Sequence, residues 1–189
     1  MTSVSSGEWG PAGGLLGTYA ILGNHDVWAD AALIMRQLDA VGIPVLVNRH
    51  QRLPSPFNDV CVCGIDDPWV GQPDVAKAFE GAGPIRIFLT HSPDALLLLR
   101  DERFDLAVAG HTHGGQIAFA NGTAIVSAGG PLARTYDRGR FDLPDNGPLI
   151  VSCGVGCSNI PLRSNADPEL TLCTLVPFGY SSAQSGPGA

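Results

Sequence analysis

A chain of 189 residues with 44% apolar and only 15% charged side chains can bury one core of ordinary domain size, which excludes a disordered chain. Its net charge of −7 excludes a general nucleic-acid binder, because phosphate backbones reward clustered Lys and Arg; a locally held dication could still draw in an anionic substrate. No apolar run approaches the ~20 residues of a membrane-spanning helix, the nearest being residues 95–99, and no basic-then-apolar leader opens the chain. Five cysteines, Cys61, Cys63, Cys153, Cys157 and Cys173, have no zinc-ribbon spacing and leave one unpaired under any full pairing, which points to a reducing, cytoplasmic setting.

Residues 1–14 have a Ser, Gly and Pro composition that reads as a disordered or non-native segment. Residues 18–22 form a short apolar strand that ends in Gly23-Asn24-His25-Asp26. Asp26 is placed to cap a helix over residues 29–41, where Ala31, Leu33, Ile34, Leu38 and Val41 recur with helical spacing until Gly42, and Pro44 prevents resumption. Strands follow at residues 45–47 and 61–65, the second carrying Cys61 and Cys63 on one face as small buried side chains. His50 lies between them as a surface histidine. Asp66-Asp67-Pro68 reads as a solvated turn rather than a pair of functional carboxylates.

A short helix is expected over residues 73–79, helped by Pro73 near its first turn. Residues 85–89 form a strand that ends in Thr90-His91-Ser92-Pro93-Asp94, and residues 96–99 read as a buried helix. The strand at residues 106–109 then runs into Gly110-His111-Thr112-His113-Gly114-Gly115-Gln116. Beyond it the pattern changes to short antiparallel strands with Gly-rich turns, at 117–120, 124–127, 149–152 and 170–176, before a flexible tail over 179–189. Three strands thus deliver polar residues at their C-terminal ends, the edge of an open α/β sheet where ligands bind. If the segment after residue 109 is extended, His111 and His113 point the same way into one cavity, a metal-ligand arrangement.

Gly23-Asn24-His25-Asp26, His91 and Gly110-His111-Thr112-His113 together resemble the later motif blocks of the calcineurin-like metallophosphoesterases. The extension Gly114-Gly115-Gln116 is similar to the signature of a bacterial branch of metal-dependent phosphodiesterases. The resemblance covers about residues 15–176, and the family's Asp-x-His and Gly-Asp blocks are not found before Gly23. It implies an α/β fold, a β-sandwich flanked by helices (αββα), N-terminally incomplete, with the domain over residues 15–178.

The resemblance further implies that Asn24, His91 and His111 bind one metal ion and that His113 binds a second. The ions would be Mn, Fe or Zn, two in a complete family member and one or none here. Such ions neutralise the anionic oxygens that shield a phosphoester and make a hydroxide available at neutral pH. His25 would stabilise the equatorial charge or protonate the leaving alkoxide, with Asp26 orienting its ring. Arg163, and with less support Arg134, would contact phosphate oxygens. Cys153 stands where many relatives carry an arginine.

The expected partner is a phosphoester substrate, with no sequence-specific nucleic acid, and an uncovered sheet edge is open to pairing with another chain. The isolated chain is expected to be weakly active or inactive. The alternatives are a truncated pseudoenzyme acting as a binding or scaffold protein, and a structural metal protein.

Overall fold

The computed structural model describes residues 14–125 and 129–176. The expected N-terminal segment up to residue 13, the end of the strand expected at 124–127 and the tail from 179 lie outside the described residues. In chain order the elements are helix α1 (Asn24–Ala40), strands β1 (Arg49–Arg52) and β2 (Val60–Gly64), helix α2 (Val75–Phe79), strands β3 (Ile85–Leu89) and β4 (Leu106–Ala109), helix α3 (Pro131–Thr135), and strands β5 (Gly139–Phe141) and β6 (Leu149–Val151). The strands make one mixed sheet in the order β1-β2-β3-β4-β6-β5. Its central members β2, β3, β4 and β6 run parallel, and the two edge strands are antiparallel to their neighbours.

Parallel strands are covered on both faces and therefore read as continuous apolar runs. The Val-Cys-Val-Cys-Gly of β2 is of this kind, with Cys61, Val62 and Cys63 all buried. Phe88 of β3 lies at the centre of the core, with the rings of Phe79 and Phe104 at 5.4 and 5.7 Å between centroids. The register sets Gly64 beside Leu89 and Leu89 beside Val108. β2, β3 and β4 consequently stop at one level, and the segments carrying Asp67, His91 and His111 leave from a shared carboxyl edge.

Several elements differ from the sequence expectations. Helix α1 starts at Asn24, ahead of the apolar periodicity, because Gly23 is its N-cap and the Asp26 carboxylate accepts the Gly23 N–H at 2.8 Å. At Asp30 the helix kinks (φ −168°, ψ 87°), and the Asp30 carboxylate accepts the Leu33 N–H at 2.9 Å, capping the periodic second half. The polar first half is thereby free to carry site residues.

The strands expected at 18–22 and 45–47 reduce to a parallel bridge between Ala20 and Val45. His50 belongs to β1, its Nδ1 3.2 Å from the carbonyl of Ala78, and is not a free surface side chain. Residues Pro93–Leu98 form a 3₁₀ turn, too tight to gather successive leucines on one face. Leu97 and Leu98 are accordingly exposed, and the buried residues of the turn are Pro93, Asp94 and Ala95 at its start.

Past residue 116 the pairing seen outside the six-stranded sheet consists of isolated bridges, a parallel one of Ile117 with Ser164 and an antiparallel one of Ala118 with Ala124. Residues 170–175 form no strand, and Leu170 and Leu172 are 91% and 94% exposed. Alternating apolar residues make a strand only where a sheet pairs with them, and none of the described strands does so here.

Candidate metal centre

Asn24, at the first position of α1, His91, after β3, and His111, after β4, meet at the carboxyl edge. His91 Nε2 lies 3.0 Å from Asn24 Oδ1 and 2.9 Å from His111 Nδ1. The two rings stand edge-on with centroids 4.7 Å apart. All three residues line a cleft of about 870 Å³, together with His25, His113, Trp28, Trp69 and Gln116. Gly23 permits the close approach, since a Cβ there would stand 2.6 Å from His91 Cε1.

Burial, reinforced by the neighbouring His111, pushes the His91 imidazole down to about 4, against the opposing fields of Asp67 and Asp26. Burial likewise lowers His111 and His113. The three rings are neutral at pH 7, the form that offers a lone pair to a metal.

His111 and His113 reach one cleft, but not by strand alternation. β4 ends at Ala109, and His111, His113 and Gln116 adopt left-handed backbone angles, φ 69°, 52° and 52°. Such conformations cost about 1–3 kcal/mol each and persist where the surroundings hold them. Here Thr112 holds the turn, its hydroxyl donating to the Asp137 carbonyl at 2.6 Å and accepting from the Gly114 N–H at 3.3 Å. Arg138 grips the Gly114 carbonyl at 2.6 Å. At Gly114 (φ 59°) a Cβ would meet Cys153 Sγ at 2.6 Å, so the turn and the buried Cys153 are packed for glycine.

Gln116 orients His113. Its Oε1 accepts the Ser158 N–H at 2.7 Å while its Nε2 donates to the carbonyls of Ser158 and Ile160 at 3.0 and 2.9 Å. The oxygen therefore faces His113 Nδ1 at 3.1 Å, which donates to it, leaving the Nε2 lone pair free. Gln116 thus ties the histidine turn to the 156–160 loop on the far wall of the cleft. Sequence reasoning quoted this residue as a signature without assigning it a task.

His25 also lines the cleft, with Nε2 3.3 Å from Ser158 Oγ and its ring edge-on to Trp28 at 5.0 Å. The carboxylate of Asp26 is engaged with Gly23, as described above. Arg163 is not brought to the cleft lining: its guanidinium donates to the backbone carbonyls of Cys153, Gly156, Ala166 and Asp167, clamping two loops. Arg134 lines a separate surface hollow with Asp137 and Arg138. Asp67, expected in a solvated turn, is fully buried instead, and the sequence holds no signal for this.

Two donors at ~2.1 Å from an ion and near right angles to each other stand ~3 Å apart. Asn24 Oδ1 and His111 Nδ1 each stand at that spacing from His91 Nε2, which is compatible with donors to one divalent ion. Among the described residues no group of three or more His, Cys, Asp and Glu side chains is arranged to hold a metal, so the fit relies on the amide oxygen beside two imidazoles.

The chain is thus an α/β protein whose mixed sheet carries two imidazoles and an amide at the carboxyl edge of its parallel strands. The chain is 35% identical to phosphodiesterase YaeI of Escherichia coli strain K12 over 166 residues, 84% of this chain and 58% of that protein. It is 31% identical to the uncharacterized metallophosphoesterase YkuE of Bacillus subtilis strain 168 over 163 residues, 84% and 56% of the two chains. With the uncharacterized metallophosphoesterase YkoQ of the same strain it shares 29% identity over 160 residues, 82% and 59%. Over more than four fifths of its length the chain is thus similar to proteins named as metallophosphoesterases and a phosphodiesterase. It spans less than three fifths of the length of these relatives. No family model matches it, and neither does any solved structure. Among the described residues, no helix is long and apolar enough to cross a membrane.

Proposed function

We propose that this chain carries part of the active site of a metal-dependent phosphodiesterase, with Asn24, His91 and His111 holding one divalent ion, Mn, Fe or Zn. The observation that carries the reading is the approach of Asn24 Oδ1 and His111 Nδ1 to His91 Nε2, at 3.0 and 2.9 Å, in the wall of an open cleft. His113, with its free Nε2, is a ligand for a second ion. When bound, such ions neutralise phosphoryl charge and lower the pKa of a water to the neutral range.

The chain's own residues complete the site. His25 is exposed at the cleft, where its imidazole can donate a proton to a departing alkoxide, a contribution of about 10²- to 10⁴-fold for a general acid. Trp28 and Trp69 supply apolar wall beside the polar groups. A second reading, a binding protein that retains the fold but turns over little, is favoured by His113 having no companion carboxylate placed to hold an ion among the described residues.

Equilibrium dialysis against Mn, followed by hydrolysis of bis(p-nitrophenyl) phosphate, tests the reading. The expected result is bound Mn and Mn-dependent turnover, both lost in Asn24→Ala and His111→Ala. Bound Mn without turnover leaves the binding protein standing. Failure of the folded wild type to take up any ion overturns the metal assignment.

A further inference from the structure

Asp67 has no exposed surface, an unfavourable place for a carboxylate. Its Oδ1 accepts the backbone N–H groups of Trp69 and Val70, both at 2.9 Å, which closes the turn after β2. Its Oδ2 has no hydrogen-bond partner among the described residues. The ion pairs among those residues join Arg138 to Asp137 and Arg140 to Asp142, so no cation is paired with Asp67 either. A buried, singly anchored carboxylate calls for positive charge nearby.

The topology indicates where that charge would sit. With Gly64, Leu89 and Val108 in register, Asp67, His91 and His111 all lie two or three residues past the same level of three adjacent strands. Trp69, whose backbone is held by Asp67, sets its ring against His111 at 5.9 Å between centroids. His91 and His111 line the cleft, whereas Asp67 does not and is buried away from solvent.

We infer that Asp67 is the positioning carboxylate of the His91–His111 pair: it seats His111 through Trp69 and supplies, from its buried position, the negative charge that offsets a divalent ion held by the pair. The inference rests on the metal site proposed above and deepens it by adding a residue that never touches the ion.

Asp67→Asn keeps the volume and the oxygen that accepts from Trp69 and Val70, but not the charge. Its Mn affinity, measured by titration calorimetry, is expected to fall by about 10- to 100-fold, the usual effect of losing a partner behind a metal ligand. The metal-free variant is expected to unfold at the same temperature as wild type or higher. Asp66→Asn, on the same turn, is expected to leave both quantities unchanged. Wild-type Mn affinity in a folded Asp67→Asn would overturn the inference, because a residue that only closes the turn predicts that result.

If the wild type takes up no Mn, the proposed function fails by itself, and Asp67 is judged in the metal-free protein. Displacement of the ¹⁵N imidazole signals of His91 and His111 by Asp67→Asn then supports the inference, and unmoved signals refute it. If Asp67→Asn does not fold, the Asp67 carboxyl ¹³C signal of the wild type decides on adding Zn: movement supports the inference and constancy sinks it.

Discussion

In the metal-free protein, the burial of His91 should make folding stability fall as the pH drops through the mildly acid range. An unfolded histidine titrates near 6.5, whereas in the folded chain this imidazole is held down to about 4. Because the folded value is the lower one, the unfolded chain takes up the proton first. The associated stability is fully present above about pH 6.5 and is lost as the pH falls from there towards 4. The whole difference is worth about 3 kcal/mol, of which about 1 kcal/mol disappears between roughly pH 7 and 5.5 and about 2 kcal/mol by roughly pH 4.5.

Urea unfolding in EDTA at those three pH values, for wild type and His91→Gln, isolates the effect. Gln keeps a polar contact for Asn24 but does not titrate. The carboxylates whose pKa values are also lowered, Asp94 and Glu169, are common to both proteins and drop out of the difference. Parallel pH profiles for the two proteins would show that His91 is not held neutral by burial, and the neutral-ligand description would fall with it.

Gly23→Ala would place a methyl group 2.6 Å from His91 Cε1. The expected cost is about 1–3 kcal/mol of stability together with weaker Mn binding, and a calorimetric titration matching wild type would contradict the close packing at that position. Gln116→Ala frees the His113 ring and leaves the Ser158 N–H and the Ser158 and Ile160 carbonyls without this partner. Faster amide exchange across residues 156–160 should accompany a loss of about 1–3 kcal/mol, and unchanged exchange would refute the bridge. Leu170→Ser and Leu172→Ser, at side chains 91% and 94% exposed, should change stability by no more than about 0.5 kcal/mol while reducing self-association in sedimentation. A large loss of stability would mean that this segment is packed in solution.

The sequence by itself determined the short strands of the core and the chemistry at their ends. Runs of strand length such as residues 106–109, all apolar, and 85–89, apolar but for Arg86, each end in polar residues, which pointed to Asn24, His91, His111 and His113 as one group at a sheet's carboxyl edge. What surrounds that group was decided by tertiary structure. Asp66-Asp67-Pro68 has the local chemistry of a surface turn, yet Asp67 is fully buried, because burial depends on what distant segments lay over a side chain. His111 and His113 share a cleft through left-handed turns held by Thr112, Asp137 and Arg138, contacts that span 24 or 25 positions in the chain and leave no periodic trace. The apolar residues Leu170, Leu172 and Leu175 show the converse, since an apolar segment becomes a strand only where another strand is there to pair with it.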